Sequence, residues 1–204
     1  MLDRMNPDAS NDQTRSSLLR RVRDPSDETA WEQFHDLYSP LMYQYAISRG
    51  LQPADAEEVR SECLMTMARQ ISAFRYERRR GAFRSWLRTI VVRRVIDQFR
   101  RKGRPVAGLE SPETVPDESD RPDELWERMW RENHLQHCMS QVKPLVSAAT
   151  WEIFESLVDE RETVDELCQR LQISRNQAYK ARSRVLALIR EKMKYLDPDA
   201  ATDQ

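Results

Sequence analysis

Apolar residues recur every three or four positions along most of this 204-residue chain, and this spacing constrains its fold more than any other feature. Such a period places apolar side chains on one face of an α-helix, whereas a half-buried strand needs strict alternation, which no long stretch shows. Only 4 glycines are present to interrupt helices. The sequence therefore predicts an all-α protein whose helices are delimited by capping residues and prolines.

Capping residues, prolines and apolar spacing together predict eight helices. Ser26 is the expected cap of the second helix, and Pro40 inside that helix is expected to kink or divide it. The predicted helices cover Ser16 to Arg23, the stretch from Ser26 through Tyr45, Asp55 to Phe74, Phe83 to Lys102, Asp123 to Gln141, and residues 147–158, 163–171 and 175–194.

A segment between the fourth and fifth helices breaks the apolar period. Residues 105–122 contain four prolines and many acidic residues, a composition that predicts a flexible linker. We therefore expect two small helical domains, at residues 15–104 and 123–196. The polar ends, residues 1–14 and 197–204, are expected to be disordered.

The formal net charge of −1 conceals a strong segregation of charge along the chain. Residues 60–104 hold 14 basic and 3 acidic side chains, and residues 170–194 hold 8 and 1. Residues 105–132 and 152–169 are acidic in turn. Two basic segments of this density are typical of surfaces that bind a polyanion such as DNA.

Aromatic residues are interleaved with arginines in the first basic segment, a combination that suits single strands opened from a duplex. Most of these rings are nevertheless expected in the core, and for Trp86 exposure and burial are about equally expected. The aromatic residues are Phe74, Tyr76, Phe83, Trp86 and Phe99.

The second basic segment follows two closely spaced capping boxes, Thr163 to Glu166 and Ser174 to Gln177. Helices that start this close together have helix-turn-helix spacing, although a generic pair of packed helices has the same pattern. On the second of them an apolar stripe leaves polar residues on the opposite side, where they could enter a major groove. Those residues are Asn176, Tyr179, Lys180 and Ser183, flanked by Arg175 and Arg182, with Arg182, Arg184 and Lys192 as phosphate contacts.

Several classes of protein are disfavoured by what the sequence lacks. It has no run of about 18 apolar residues and no apolar signal core near residue 1, so we expect a cytoplasmic protein without membrane contact. Its three cysteines form no CxxC pair, which predicts free, mostly buried thiols. His134, His137 and Cys138 share one segment but lack the further ligand that would complete a metal site.

Four motifs in order give the chain a family resemblance: Asp55-Ala-Glu-Glu-Val-Arg-Ser-Glu62, Phe83-Arg-Ser-Trp-Leu-Arg-Thr-Ile90, Asp97-Gln-Phe-Arg-Arg101 and the predicted helix-turn-helix. Together they resemble a bacterial extracytoplasmic-function (ECF) sigma factor over residues 16–194. Within that family the stretch Ala178 to Leu186 is similar to the planctomycete-type sigma factors.

The resemblance implies a transcription initiation subunit that binds core RNA polymerase and directs it to promoter DNA, with no enzymatic activity, metal or cofactor of its own. It leaves room for an anti-sigma factor as a further partner. It implies polymerase binding by Asp55, Glu58, Arg60 and Glu62; minus-ten element binding by Arg84, Trp86, Arg88, Arg93, Arg94, Asp97, Arg100 and Arg101; and minus-thirty-five element binding by Ser174, Arg175, Asn176, Gln177, Tyr179, Lys180, Arg182, Ser183 and Arg184.

Three residues depart from the family pattern. Arg93 stands where Asn is common, Ser61 replaces a frequent Gln, and Gln172 occupies a turn position that is usually Gly. If that turn needs a positive φ, Gln costs about 1 kcal/mol there, so a rearranged turn is the expectation.

The nearest alternative function is a stand-alone helix-turn-helix transcriptional regulator. Such a protein needs a dimer interface and binds its promoter tightly without polymerase, whereas a sigma factor binds weakly alone. A metal enzyme is a distant third, because only His134, His137 and Cys138 support it.

Overall fold

The computed structural model describes residues 14–72, 82–103, 123–159 and 162–196. Within these ranges the chain forms eight α-helices and one 3-10 turn (Lys143–Leu145) and no strand, which confirms the predicted all-α class. The helices are α1 (Thr14–Arg21), α2 (Glu28–Ser48), α3 (Pro53–Gln70), α4 (Ala82–Arg101), α5 (Glu124–Val142), α6 (Ala148–Val158), α7 (Val164–Leu171) and α8 (Arg175–Leu196).

The segments predicted to be disordered fall outside these ranges almost entirely. They are residues 1–14, of which only Thr14 is described, the linker at 105–122 and the tail at 197–204. No helix in the described part of the chain has the length and apolar character needed to cross a bilayer.

The chain divides into two compact units, the first ending at Asn133 and the second beginning at His134. This division differs from the predicted one, which started the second domain at residue 123. The first part of α5, up to Asn133, therefore belongs to the first unit. Periodicity marks residues 123–133 as helical but carries no information about which core their apolar face joins.

Aromatic rings from three helices form the centre of the first unit. Tyr38 of α2 lies 4.8 Å from Phe34 and 5.2 Å from Phe83 of α4, measured between ring centroids. Trp130 of α5 lies 5.7 Å from Tyr38, and all four side chains are at most 1% exposed. Edge-to-face and tilted ring pairs of this kind stabilise a core beyond their burial alone.

Two tryptophans explain why the start of α5 joins this core. Trp126 and Trp130 are each 0% exposed, and Trp126 packs edge-on against Tyr45 with centroids 5.2 Å apart. At the end of the segment, the Asn133 side-chain amide donates a 2.6 Å hydrogen bond to the Leu37 carbonyl. Burying two indoles contributes several kcal/mol, so this segment cannot leave the first unit without a large cost.

Helix α2 corrects the expected cap and excludes one of the two effects expected of Pro40, the division of the helix. Its cap is Asp27, whose carboxylate accepts from the Ala30 amide at 3.0 Å, and not Ser26. The Asp27 carboxylate also holds Arg21 by two 2.8 Å bonds, which favours it as the cap. Pro40 lies inside α2 without dividing it, because the burial of neighbours on both sides, such as Tyr38 and Met42, outweighs the lost hydrogen bond.

The second unit is built from the end of α5 together with α6, α7 and α8. One buried cluster joins three of these helices through Cys138 and Val142 of α5, Trp151 and Phe154 of α6, and Val185 and Ile189 of α8. A smaller cluster joins α6, α7 and α8 through Ile153, Leu167 and Ala178. The apolar stripe predicted for the last helix is therefore its packed side.

The three cysteines are free, as the sequence predicted. Cys63 and Cys138 are buried, and burial raises the pKa of their thiols to about 12 and about 11. Both remain protonated at neutral pH and so are inert as nucleophiles or metal ligands.

Gln172 links α7 to α8 in a left-handed conformation, with φ 52° and ψ 43°. Its amide hydrogen-bonds back to the end of α7, to the carbonyls of Cys168 and Gln169. The turn thus takes the conformation that a glycine would take, and no rearrangement accommodates the glutamine. A side chain with a Cβ is strained in this region, so Gln172 stores about 1 kcal/mol of backbone strain.

We expect Gln172→Gly to stabilise the second unit by roughly 0.5 kcal/mol, because the relieved strain of about 1 kcal/mol exceeds the entropy of about 0.5 kcal/mol that glycine adds to the unfolded chain. Hydrogen exchange of the α7 and α8 amides measures this change. Gln169→Gly is the matched control, since it places glycine within α7 and should cost about 0.5–1 kcal/mol. A Gln172→Gly protein no more protected than the wild type would contradict the strain.

Candidate nucleic-acid interface

Acidic side chains within the first unit hold several of the arginines that α4 carries. Arg84 pairs with Glu127 at 2.7 Å, and its guanidinium lies 6.0 Å from the Trp130 ring centroid. Arg88 reaches the Asp123 carboxylate at 3.4 Å. Both partners come from the chain just before or within α5, so these two predicted minus-ten residues are partly neutralised by the unit itself.

A second set of ion pairs joins α4 to α3. Arg101 binds Glu58 and Glu62, each at 3.0 Å. Arg94 bonds to the Thr66 hydroxyl at 3.0 Å and lies 4.0 Å from Glu62. These contacts are partly exposed, so each stabilises the helix pair only modestly.

Asp55 anchors the same seam from a buried position. It is 9% exposed, accepts from the Gln98 side-chain amide at 3.1 Å and pairs with Lys102 at 3.0 Å. Gln98 also donates to Glu58 at 2.8 Å. Three of the four residues predicted to bind polymerase, Asp55, Glu58 and Glu62, are therefore engaged with α4, while Arg60 pairs with Glu57 on α3 itself.

Arg93 and Arg100 differ from the other predicted minus-ten residues of α4. Both side chains are exposed, and neither has an acidic partner within the described ranges. They are seven residues apart, so they lie on one face of the helix. Trp86, seven residues before Arg93, is half-buried on that face and packs on Phe83 with centroids 5.7 Å apart.

An open groove runs beside this face. It is lined by Glu62 of α3 and by Arg94, Asp97, Arg100 and Arg101 of α4. Asp97 lies 3.5 Å from Arg94, so its negative charge partly neutralises the positive charge of Arg94 on one side of the groove. The cationic edge is at Arg100, where a phosphate can approach.

Two of the interleaved aromatic residues are core residues, as expected. Phe83 is 1% exposed and Phe99 is 9% exposed. Trp86, by contrast, is only half-buried, so part of its indole is accessible for a base to stack on it. Phe74 and Tyr76 lie outside the described residues.

An exposed apolar residue on α3 escaped the sequence analysis. Met65 is 52% exposed and lies off the buried stripe formed by Cys63 and Met67. Ser61, one turn earlier, is also exposed. The available signal was an apolar residue on the polar face of an amphipathic helix, which is a weak signal, because single exposed apolar side chains are common on protein surfaces.

In the second unit the residues predicted to bind the upstream element form two groups, two capping residues at the start of α8 and a set of exposed side chains along it. Ser174 and Gln177 form the capping box of α8, in which the Gln177 side chain accepts from the Ser174 amide at 2.8 Å and Ser174 Oγ accepts from the Gln177 amide at 3.3 Å. Their side chains are thus occupied at the helix start. The remaining polar side chains are exposed along α8: Arg175, Asn176, Tyr179, Lys180, Arg182, Ser183 and Arg184.

The predicted pattern on α8 is therefore confirmed as far as exposure is concerned. Tyr179 is 48% exposed, whereas Ala178 and Val185 on the opposite side are 0% exposed. The helix before it, α7, starts with a complete capping box between Thr163 and Glu166. A polar, cationic helix face supported by a short preceding helix can lie in a major groove.

The described residues include no group of three or more His, Cys, Asp or Glu side chains that could hold a metal ion. His134 and Cys138 are both buried, and His137 lies 2.8 Å from the Gln141 side-chain amide.

Comparison with protein families gives a match within the first unit. Residues 34–105 match the family model described as Sigma-70 region 2, and the match includes α3, α4 and most of α2. No curated protein matches the chain. The match supports a sigma-factor role in promoter recognition and transcription initiation, which is not an enzymatic activity. Residues 34–105, with the exposed arginines of α4 among them, are therefore the part of the chain that is similar to Sigma-70 region 2.

Proposed function

We propose that the whole chain is an ECF-type sigma factor, which binds core RNA polymerase, directs it to promoters and helps to melt DNA there. The observation that carries this proposal is the match of residues 34–105 to Sigma-70 region 2. The second unit supports it, because α8 presents a cationic polar face after a short turn. A promoter with a minus-ten and a minus-thirty-five element requires a second basic DNA-binding module besides region 2.

In the first unit, we assign the minus-ten contacts chiefly to Arg93, Arg100 and Trp86. These side chains are accessible, whereas Arg84 and Arg88 already bind acidic partners. Exposed arginines can track the phosphates of an opened strand while the indole stacks on a base. The engaged arginines then act mainly by holding the shape of the unit.

For polymerase binding, the partly exposed Glu58, Arg60 and Glu62 are the proposed polar contacts. Asp55 is too buried to contribute directly, and we propose that it acts by holding α4 through Gln98 and Lys102. Met65, at 52% exposed, adds apolar area to the same helix.

In the second unit, we assign minus-thirty-five recognition to α8. Asn176, Tyr179 and Lys180 can reach base edges, and Arg182, Ser183 and Arg184 can bind phosphates. The same proposal includes three further points: a similarity of the stretch Ala178 to Leu186 to planctomycete-type sigma factors, an anti-sigma partner and a cytoplasmic location.

Transcription reconstituted from purified components tests the proposed function. The full chain with core RNA polymerase should give specific initiation on promoters mapped after its overexpression, and DNA binding by the chain alone should be weak. Core polymerase alone is the control. Tight, specific binding by the isolated chain with no polymerase-dependent initiation would instead identify a stand-alone helix-turn-helix regulator.

Two alanine variants separate the roles of the two units on such a promoter. Lys180→Ala should change the preferred upstream sequence, because it removes a donor to base edges. Arg100→Ala should lower open-complex formation about threefold to tenfold on all promoters, because a phosphate contact carries no sequence information. Permanganate footprinting and initiated-transcript sequencing measure the two effects.

Arg190→Ala on α8 is a useful comparison, since it removes an exposed cation outside both proposed contact sets. It should leave the sequence preference unchanged. Equal activity of the Lys180→Ala, Arg100→Ala and wild-type proteins would argue against this assignment of contacts.

A further inference from the structure

A bidentate ion pair joins α7 to the first residue of α8. Arg175 donates from Nε to one oxygen of Asp165 at 2.7 Å and from Nη2 to the other at 2.6 Å. Asp165 lies in the first turn of α7, and Arg175 opens the helix that carries the proposed upstream contacts. The two carboxylate oxygens therefore bind the side of the guanidinium that carries Nε and Nη2.

Stability alone does not account for this pair. The Arg175 and Asp165 side chains are 67% and 59% exposed, and ion pairs this exposed contribute little to folding. Neither side chain is needed to start its helix, because Thr163 and Glu166 cap α7 while Ser174 and Gln177 cap α8.

The chemistry of the guanidinium shows what the pair leaves available. Arginine has five N–H donors, and Asp165 takes one from Nε and one from Nη2. The remaining donors are on Nη1 and Nη2, and they form a second fork at the end of the side chain. A fork of this shape matches the O6 and N7 acceptors of guanine in the major groove.

The carboxylate also favours a base over a phosphate as the target. Asp165 neutralises most of the charge with which Arg175 would attract the DNA backbone, and its own charge is repelled by phosphates. A base edge, by contrast, is recognised by directed hydrogen bonds. Holding a long side chain in one orientation before binding reduces the entropy lost when those bonds form.

We propose that Asp165 is a specificity-determining positioning residue, which orients Arg175 so that its free fork reads one guanine of the upstream promoter element. This inference rests on the proposed function. It adds a residue of α7, outside the polar face of α8, to the residues that decide which sequence is recognised.

The test uses the full chain with core RNA polymerase and a promoter library in which the upstream element is randomised and the rest is constant. Sequencing of initiated transcripts gives the base preference at each position. Arg175→Ala identifies the position that Arg175 reads, and Arg175→Lys, which keeps the charge but loses the fork, should have the same effect. Circular dichroism and thermal unfolding establish that each variant is folded.

We expect the wild type to prefer guanine at one position by about tenfold or more, as is typical of a bidentate contact. Asp165→Asn should reduce that preference to about threefold or less and leave the other positions within about twofold. Asp165→Glu, which keeps a carboxylate, should restore most of it. Glu191→Gln removes a negative charge elsewhere on α8 and should leave the whole profile unchanged.

The inference is overturned if Asp165→Asn keeps the full preference at the position that Arg175→Ala abolishes. It is also overturned if both variants lower use of all sequences equally, since that pattern indicates a phosphate contact. A wild-type profile that is flat at every upstream position would contradict the proposed function of the second unit as well, so the two failures are distinguishable.

Discussion

Trp130→Ala is expected to lower the free energy of unfolding of the first unit by about 3–5 kcal/mol. The indole is 0% exposed and lies between the rings of Tyr38, Phe83 and Trp126, at centroid distances of 5.7, 6.4 and 6.2 Å. Its removal leaves a cavity that these rigid neighbours cannot fill, so both burial and ring contacts are lost.

Hydrogen exchange of the full chain, followed by mass spectrometry, is the appropriate measurement, because the two units need not unfold together. Amides of α2 and α4 should exchange at least about 100-fold faster in the variant, and amides of α7 and α8 should be unchanged. Trp151→Ala, in the core of the second unit, is the matched control and should give the opposite pattern. Loss of protection confined to α7 and α8 in Trp130→Ala would contradict the assignment of residues 123–133 to the first unit.

Asp123→Asn is expected to destabilise the first unit by about 2–3 kcal/mol at neutral pH, because it removes the acceptor of a part-buried network. One carboxylate oxygen accepts from Tyr45 at 3.0 Å, Arg49 at 2.8 Å and Arg88 at 3.4 Å. The other accepts from the Trp126 amide at 3.2 Å and so caps α5. A neutral amide cannot balance two arginines, and it caps the helix without charge.

The same residue predicts a pH dependence. Burial by itself raises the pKa of Asp123, but the Trp126 amide, the Arg49 charge and the Tyr45 hydroxyl outweigh it and hold the pKa below the ordinary value of about 3.9. A lowered pKa means that the ionised side chain stabilises the fold at neutral pH. This contribution is complete above about pH 4 and is lost as the pH falls through the lower folded value.

Urea unfolding between pH 7 and pH 3 measures both effects. The stability difference between the wild type and Asp123→Asn should be largest at neutral pH and shrink below about pH 4. Asp36→Asn is the control, because that side chain is 75% exposed on α2 and should change stability by no more than about 0.5 kcal/mol. An Asp123→Asn protein that behaves like Asp36→Asn would show that the network does not hold α5.

Helix positions could be predicted closely because their signals are local. The spacing of apolar residues predicted a helix from Phe83 to Lys102, and α4 runs from Ala82 to Arg101. The capping box at Thr163 predicted the start of α7. Caps and periodicity depend on residues no more than about four positions apart, so the sequence contains them directly. The cap of α2 was misplaced by one residue because Asp27 gains a partner, Arg21, six residues away and so beyond this range.

The candidate site could be predicted only in outline. Segment charges pointed to α4 and α8 as the cationic helices, and exposure on α8 agrees with the predicted pattern. The sequence did not reveal that Arg84 and Arg101 are engaged by acidic residues, while Arg93 and Arg100 have no acidic partner in the part of the chain that the structure describes. A count of charges records signs and not partners, and only the partners decide which arginine can meet a phosphate.

By itself, the sequence determined the helical class, the order of the helices, the polar face of α8 and the cationic character of the two modules. Tertiary structure alone decided three features. Residues 123–133 belong to the first unit, Asp55 is buried against α4, and Asp165 forms an ion pair with Arg175. The physical reason is one of range: helix formation depends on neighbours within a turn. Burial and ion pairing depend on side chains that only the folded chain brings together, as Asp123 and Arg49 show across 74 residues.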